Sequence, residues 1–448
     1  MNRTAEIEQK RAKQDNLEIV ADKIDKSMTL SQRVAIYSVW ITLFSSLWWD
    51  VTASESIIKL GSYNLSVQDP MFIATAIACG FALLSPDQSG KVITCIIAVF
   101  ALLTLQLFVR GLIVDPMPSL LWLRSAGAIA PFLLLATLVP YSESFARGIS
   151  RAIITISFMI IGLIAARRIF SLDLFMGADG LRLYEGRPIS FHGAIIMVVS
   201  QSILLSNYLK NSANLRYIFG ALTMFLFIIL SGQGTASLCA IAAFATVIGI
   251  SRGRYRNSRR VIFALIVTLT ILIAIIGPEN IITLADPTWA NRRLHNVGFR
   301  QSIWTSALSD FSSRDVYEQV FGVPAGETKT LYVWRSMQWD NYSVYFQMEW
   351  NSGLHSMYIG ILSSFGIAGI VCYVFLLLLI LIQTTLKRDP PSSAFFDKGM
   401  ALSLLFSAVI LGYSYDLHGD ALLLLMIPII HLKNRNYKLG FSLNRTLA

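Results

Sequence analysis

Apolar residues arrive in blocks along this chain, and polar residues fill short gaps between the blocks. Near-continuous apolar stretches run over 34–49, 70–85, 92–114, 120–139, 150–166, 189–208, 217–233, 236–250, 261–277, 366–385, 400–415 and 420–432. Crossing the hydrocarbon core takes about 20 apolar residues in a helix, with a range near 17–25. Backbone groups in lipid must find their partners within their own segment, so helices are the expected spanning structure. The pattern predicts an all-α fold, a polytopic membrane helical bundle of about 12 transmembrane helices. The alternation stops between the ninth and tenth stretches. The predicted organisation is an N-terminal segment 1–33, spans over 34–277, a large loop 278–353, the remaining spans within 354–432, and a tail 433–448.

The loop has its own pattern. In "GFRQSIWTSALSDF" (298–311), Phe299, Ile303, Ala307, Leu308 and Phe311 recur at helical spacing, which predicts an amphipathic helix lying on the bundle. Arg300 and Trp304 stand four apart and share one side of it. "FGVPAGE" (321–327) then breaks the chain. Five of the nine tryptophans fall in 278–353: Trp289, Trp304, Trp334, Trp339 and Trp350. An interfacial belt accounts for such residues, and so does stacking on sugar rings.

Composition agrees with a membrane location: 54% of residues are hydrophobic and 14% charged, against roughly 25% charged in soluble domains. Polar residues precede the first apolar block, which predicts an uncleaved anchor in place of a signal peptide. With the N-terminus in the cytoplasm, the inward segments hold 24 of the 37 basic residues, five of them in "SRGRYRNSRR" (251–260). The positive-inside rule therefore puts both termini in the cytoplasm. That asymmetry explains the net charge of +10 without a nucleic-acid partner, and leaves membrane lipid as the partner of the basic face. Cys79, Cys95, Cys239 and Cys372 lie in apolar stretches without metal-ligand spacing and read as small core residues.

The candidate chemistry gathers on the outward side. A second external loop, 167–188, carries Arg167, Arg168, Arg182 and Arg187. Arginines beside a bilayer either snorkel to headgroups or grip phosphate with a planar fork of donors. Arg110 and Arg124, near the outer ends of their spans, admit the same two readings. No carboxylate pattern suggests a metal cage, so cofactors and metals are not expected, and arginines would neutralise any diphosphate. His355 stands between the long loop and the next span. It reads as a helix-start or surface residue, or as a base able to take a proton from a hydroxyl. The external turn "YDLHGD" (415–420) reads as a satisfied polar turn or as lining of a cleft, and His192 as lining of the same cavity.

These residues resemble a known family. "HSMYIGILSSFGIAGI" is similar to the pattern HNxYLxxLxExGxxG of the bacterial O-antigen ligase and O-antigen or exopolysaccharide polymerase superfamily, matching at His355, Tyr358, Leu362, Gly366 and Gly369. "FRQSIWTSALSDF" followed by "FGVPAG" resembles that family's Arg–x3–Trp–x2–Ala-Leu segment and glycine-rich turn. "RLYEGRPISFHG" (182–193) fits an Arg-x10-Gly pattern of some of its polymerases. Ser356 stands where the family has Asn and Ser364 where it often has Glu. Eleven residues beyond Arg300 comes Phe311, so the long loop has no second Arg-x10-Gly.

The resemblance implies a metal-independent, inverting glycosyltransferase of the bacterial inner membrane. It would move an undecaprenyl-diphosphate-linked oligosaccharide to an acceptor hydroxyl at the periplasmic face. It makes His355 the base on the acceptor, with Arg300 and Arg182 on the diphosphate and Arg187 as a reserve for either. Trp304 and Tyr358 join Arg124 as substrate-binding candidates. A polymerase would take a second repeat unit as acceptor and work beside a flippase and a chain-length regulator; a ligase would take lipid A–core. A lipid-linked oligosaccharide transporter and a glycan-binding scaffold are the readings from other classes. Sparse charge at mid-span depth and a late external loop speak against repeated transporter halves.

Overall fold

The first described helix begins at a reciprocal cap. In "TLSQ", the Gln32 N–H donates to Thr29 Oγ1 at 3.3 Å and the Thr29 N–H donates to Gln32 Oε1 at 2.9 Å. Two donors that a helix start leaves orphaned are thereby satisfied. In this computed structural model the described residues are 28–52, 56–60, 63–66, 68–84, 91–116, 119–120, 122, 129–170, 191–210, 214–230, 233–250, 287–327, 330–337, 342–349, 356–386, 396–414 and 423–433.

Helices dominate. They are α1 (Leu30–Thr52), α2 (Gln68–Leu83), α3 (Lys91–Val114), α4 (Ile129–Leu138), α5 (Glu143–Phe170), α6 (Phe191–Lys210), α7 (Leu215–Leu230), α8 (Gly234–Ile250), α9 (Pro287–Ser313), α10 (Val316–Phe321), α11 (Met357–Leu386), α12 (Lys398–Ser414) and α13 (Leu423–Lys433). Among the described residues, two antiparallel hairpins add to the helices: β1 (Ser56–Leu60) with β2 (Tyr63–Ser66), and β3 (Thr330–Met337) with β4 (Tyr342–Glu349). The second lies in the long loop, pairs Trp334 with Tyr345, and packs beside α9. A helix covers the segment 298–311 and runs longer than its periodicity indicated, because α9 starts at Pro287, a residue suited to a first helical turn; Ile303 and Ala307 are buried on it, while Leu308 is exposed.

Among the described residues, four helices are long and apolar enough to cross a membrane: Val92–Val114, Glu143–Leu163, His192–Lys210 and Met357–Leu386. Shorter apolar helices cover Asp69–Leu83, Leu215–Ile229, Gly234–Ile250, Lys398–Tyr413 and Leu423–Lys433. The outer faces match such a setting. On α3, Ile93, Ile97, Phe100 and Leu107 point inward while Val99, Leu102, Val109 and Ile113 are exposed, Ile113 by 80%. On α11, Val371, Phe375, Leu378 and Ile382 are likewise exposed. Apolar stripes of this length are unusual on a surface facing water. The stretch 261–277, the tail 434–448 and most of the N-terminal segment lie outside the described residues.

Helix α6 forms the centre, buried without a break over 193–206, with α5, α7, α8 and α12 against it. Ala236, Cys239, Ala240 and Ala243 let α8 approach α12 closely. There Cys239 Sγ donates to Ser407 O and Ser407 Oγ donates to Cys239 O, both at 3.4 Å. Small residues at a crossing and hydroxyls bonded across it are the usual means of joining helices in lipid.

One end of the bundle is stitched by polar groups. Gln32 Nε2 reaches Pro140 O at 2.9 Å and Ser142 Oγ at 3.1 Å, and Ser142 in turn caps α5 by accepting from Phe145 N–H. Lys433 Nζ donates to Thr137 O at 2.8 Å and also to Val139 O, placing a cation on the carbonyls that end α4. Asp397 caps α12 through the Met400 N–H, accepts from Ser206 Oγ at 2.5 Å, and pairs with Lys210 at 3.4 Å. His431 Nδ1 lies 2.7 Å from Phe396 O beside it. Burial pushes the Asp397 carboxyl up, but Lys210, Ser206, the Met400 N–H and His431 outweigh it and hold the group below its ordinary value.

Candidate functional site

At the opposite end, the last turn of α12 is where three elements meet. The Trp304 ring on α9 stands edge-on to Tyr413, with centroids 5.2 Å apart and planes at 74°. One residue earlier, Gly412 lets the start of α11 lie against α12: a Cβ there would sit 2.8 Å from Met357 Cε and 3.0 Å from Tyr358 Cζ. Ser356 Oγ donates to Gly412 O at 3.3 Å, and Tyr358 Oη donates to Val409 O at 3.0 Å. The Tyr358 ring also meets Tyr373 edge-on at 6.1 Å. The helix that carries Arg300 and Trp304 and the turn that begins at Ser356 thus converge on Gly412–Tyr413. Arg300 and Trp304 are both half-buried.

A second feature fixes this arrangement. Helix α11 is broken at Gly366, where φ is 68° and ψ is −167°. A Cβ at Gly366 would lie 2.6 Å from Val320 O, 2.7 Å from Gln319 O and 2.7 Å from Gly322 N. The carbonyls that end α10 therefore press onto the point where α11 restarts. Gly322, at φ 85°, meets the break from the other side, since a Cβ there would be 2.2 Å from Ser364 O. Irregular backbone among apolar helices is tolerated when protein buries it. Here residues 322–326 are all buried.

The same loop is bonded to α3. The Ala325 N–H donates to Leu107 O at 3.0 Å, and Ser119 Oγ donates to Ala325 O at 2.9 Å. Arg110 Nη1 donates to Gly322 O at 3.2 Å, and its guanidinium lies 4.8 Å from the centre of the Tyr317 ring. Gln106 Nε2 donates to the Tyr317 hydroxyl at 2.8 Å. "FGVPAG" is thus a plug between α3 and the broken α11. Of the two readings open for Arg110, this geometry gives it a structural task.

Of the seven predicted site residues, Arg300, Trp304 and Tyr358 lie in the described structure, and the first two share α9 with the expected spacing. His355, Arg182, Arg187 and Arg124 lie outside the described residues, as does the turn 415–420. His192 is half-buried at the start of α6. Tyr358 contributes by packing and by its bond to Val409, which fastens α11 to α12. Sequence reading overlooked Arg314, whose side chain is 1% exposed and bonds Asp310 and Ser363 O. Its signal was the acidic residue four positions earlier, an ion-pair spacing on a helix. No group of three or more His, Cys, Asp or Glu residues able to hold a metal ion occurs among the described residues. No protein-family model and no curated protein matches the chain.

Proposed function

We propose that this chain is a membrane glycosyltransferase. It moves an undecaprenyl-diphosphate-linked oligosaccharide to an acceptor sugar hydroxyl at the periplasmic face of a bacterial inner membrane. In this reading the shorter apolar helices also span, both termini are cytoplasmic, and the Lys210–Asp397–Lys433 end faces inward. The observation that carries the proposal is the convergence at Gly412–Tyr413. It joins the Arg300–Trp304 helix to the turn that follows His355, the two sequence segments whose motifs resemble the O-antigen ligase and polymerase superfamily.

The chemistry needs few groups. His355 takes the proton from the acceptor hydroxyl, and the oxygen attacks the anomeric carbon opposite the diphosphate. The carbon–oxygen bond to the carrier breaks, and the leaving diphosphate takes the electron pair. Arg300 and Arg182 stabilise its growing charge, with Arg187 and Arg124 holding the rest of the carrier headgroup. Attack from the far face inverts the anomeric centre. Trp304, edge-on to Tyr413, offers an aromatic wall for a sugar ring.

Polymerisation of exopolysaccharide or O-antigen units is preferred to ligation onto lipid A–core. Purified protein given carrier-linked oligosaccharide in detergent tests both. Lengthening with donor alone supports the polymerase, and transfer only when lipid A–core is added supports the ligase. If neither mixture yields a new glycosidic bond, the transferase reading fails, and the transporter and the glycan-binding scaffold are the readings left.

A further inference from the structure

We propose that Arg314 is a positioning residue for this reaction, holding the half-helix that follows His355 in register with the helix that carries Arg300. The inference rests on the transferase reading above. Arg314 follows α9 directly, and its side chain is almost wholly enclosed at 1% exposure. A cation in such a place is tolerated only when its donors are used. Nε and Nη2 donate to Asp310 Oδ2 at 3.0 and 2.6 Å, and Nη1 donates to Ser363 O at 2.7 Å. Gln319 Nε2 clamps the adjoining backbone by donating to Ser312 O at 3.1 Å and Arg314 O at 3.0 Å.

Ser363 O is no arbitrary acceptor. It belongs to the last turn before the break at Gly366, where helix carbonyls lack regular partners and the helix end carries partial negative charge. Arg314 therefore caps the half-helix 357–365 while its other donors hold α9. That half-helix begins two residues after His355, and α9 carries Arg300. One planar fork ties together the two segments that must present base and cation to the same bond. Lysine, a point charge on a flexible stem, cannot make these directed bonds at once.

The test compares full-length wild type, Arg314→Gln and Arg314→Lys in the carrier-linked transfer assay, with hydrogen exchange followed on each protein. The expected result for Arg314→Gln is a kcat loss of about 100-fold, the scale of a reacting pair displaced by roughly 1 Å. KM for the donor should stay within about threefold, and Arg314→Lys should recover part of the loss. Amides of 357–365 should exchange about tenfold faster while those of 367–386 keep their rates. Wild-type kcat in Arg314→Gln, or exchange rising equally in every helix, overturns the proposal and leaves an ordinary ion pair. If Arg314→Gln does not fold, Arg314→Lys decides, because it keeps a charge beside Asp310: reduced kcat with local exchange supports the proposal, and unchanged kcat refutes it. Should wild type transfer nothing, only the transferase reading is lost. The exchange pattern still shows whether Arg314 holds the half-helix.

Discussion

Replacing Gly366 with alanine should damage this protein far more than one added methyl group suggests. Two effects combine. The backbone at Gly366, with φ 68° and ψ −167°, lies in a region essentially reserved for glycine, and holding another residue there costs of order 1–3 kcal/mol. The new Cβ would also stand within 2.7 Å of Val320 O, Gln319 O and Gly322 N. All three are backbone atoms that no rotamer change can move, and overpacking of this kind adds ~1–3 kcal/mol. Together the loss is roughly 2–6 kcal/mol, a large part of the ~5–15 kcal/mol that stabilises a typical fold. The control lies six residues away in the same helix: a Cβ on Gly360 meets nothing within 4 Å. Gly360→Ala should be neutral or gain about 0.5–1 kcal/mol from helix propensity. The assay is the fraction of detergent-purified protein that stays monodisperse through a temperature ramp. Equal midpoints for Gly366→Ala and Gly360→Ala would refute both the break in α11 and the docking of 319–322 against it.

Other outcomes follow from the same geometry. Asp397 is held below its ordinary value, so its contribution to stability is fully present above the unfolded carboxylate range, near ~3.9, and is lost as pH falls through the lower folded value. Asp397→Asn should remove that part of the acid limb of the stability curve, and an unchanged limb would count against the Lys210–Ser206 cluster. Trp304→Ala should cost about 0.5–1.5 kcal/mol of aromatic pairing beyond the lost burial. Tyr413→Ala should cost little more once Trp304 is gone, which a double-mutant cycle measures. Gly412→Ala should weaken the seat of Met357 and Tyr358 and lower transfer activity more than thermal stability, read as kcat against melting midpoint.

Much of the helical plan was legible because apolar blocks of spanning length announce themselves. The predicted stretch 92–114 coincides with an observed apolar helix, Val92–Val114. Pairing on a helix was legible too: the four-residue spacing of Arg300 and Trp304 places both on α9. The plug was only half visible. Gly322, Pro324 and Gly326 mark a break in any sequence, yet nothing local says that the break inserts against Gly366 and Leu107. That docking depends on residues more than forty and two hundred positions away in the chain. Arg314 was missed for a related reason, since its acceptor, Ser363 O, is a backbone atom with no sequence signature. The hairpin β3–β4 was hidden because tryptophan and tyrosine suit a membrane interface as well as a strand.

The proposed transfer from a lipid diphosphate, with His355 as base, is read out by the release of the carrier. Purified wild type and His355→Ala, matched in melting midpoint, would be given fluorescent carrier-linked oligosaccharide and acceptor in the presence of a chelator. Wild type should free undecaprenyl diphosphate in step with new glycosidic bonds, and His355→Ala should free almost none while still binding donor. Equal release by the two proteins would contradict that role for His355.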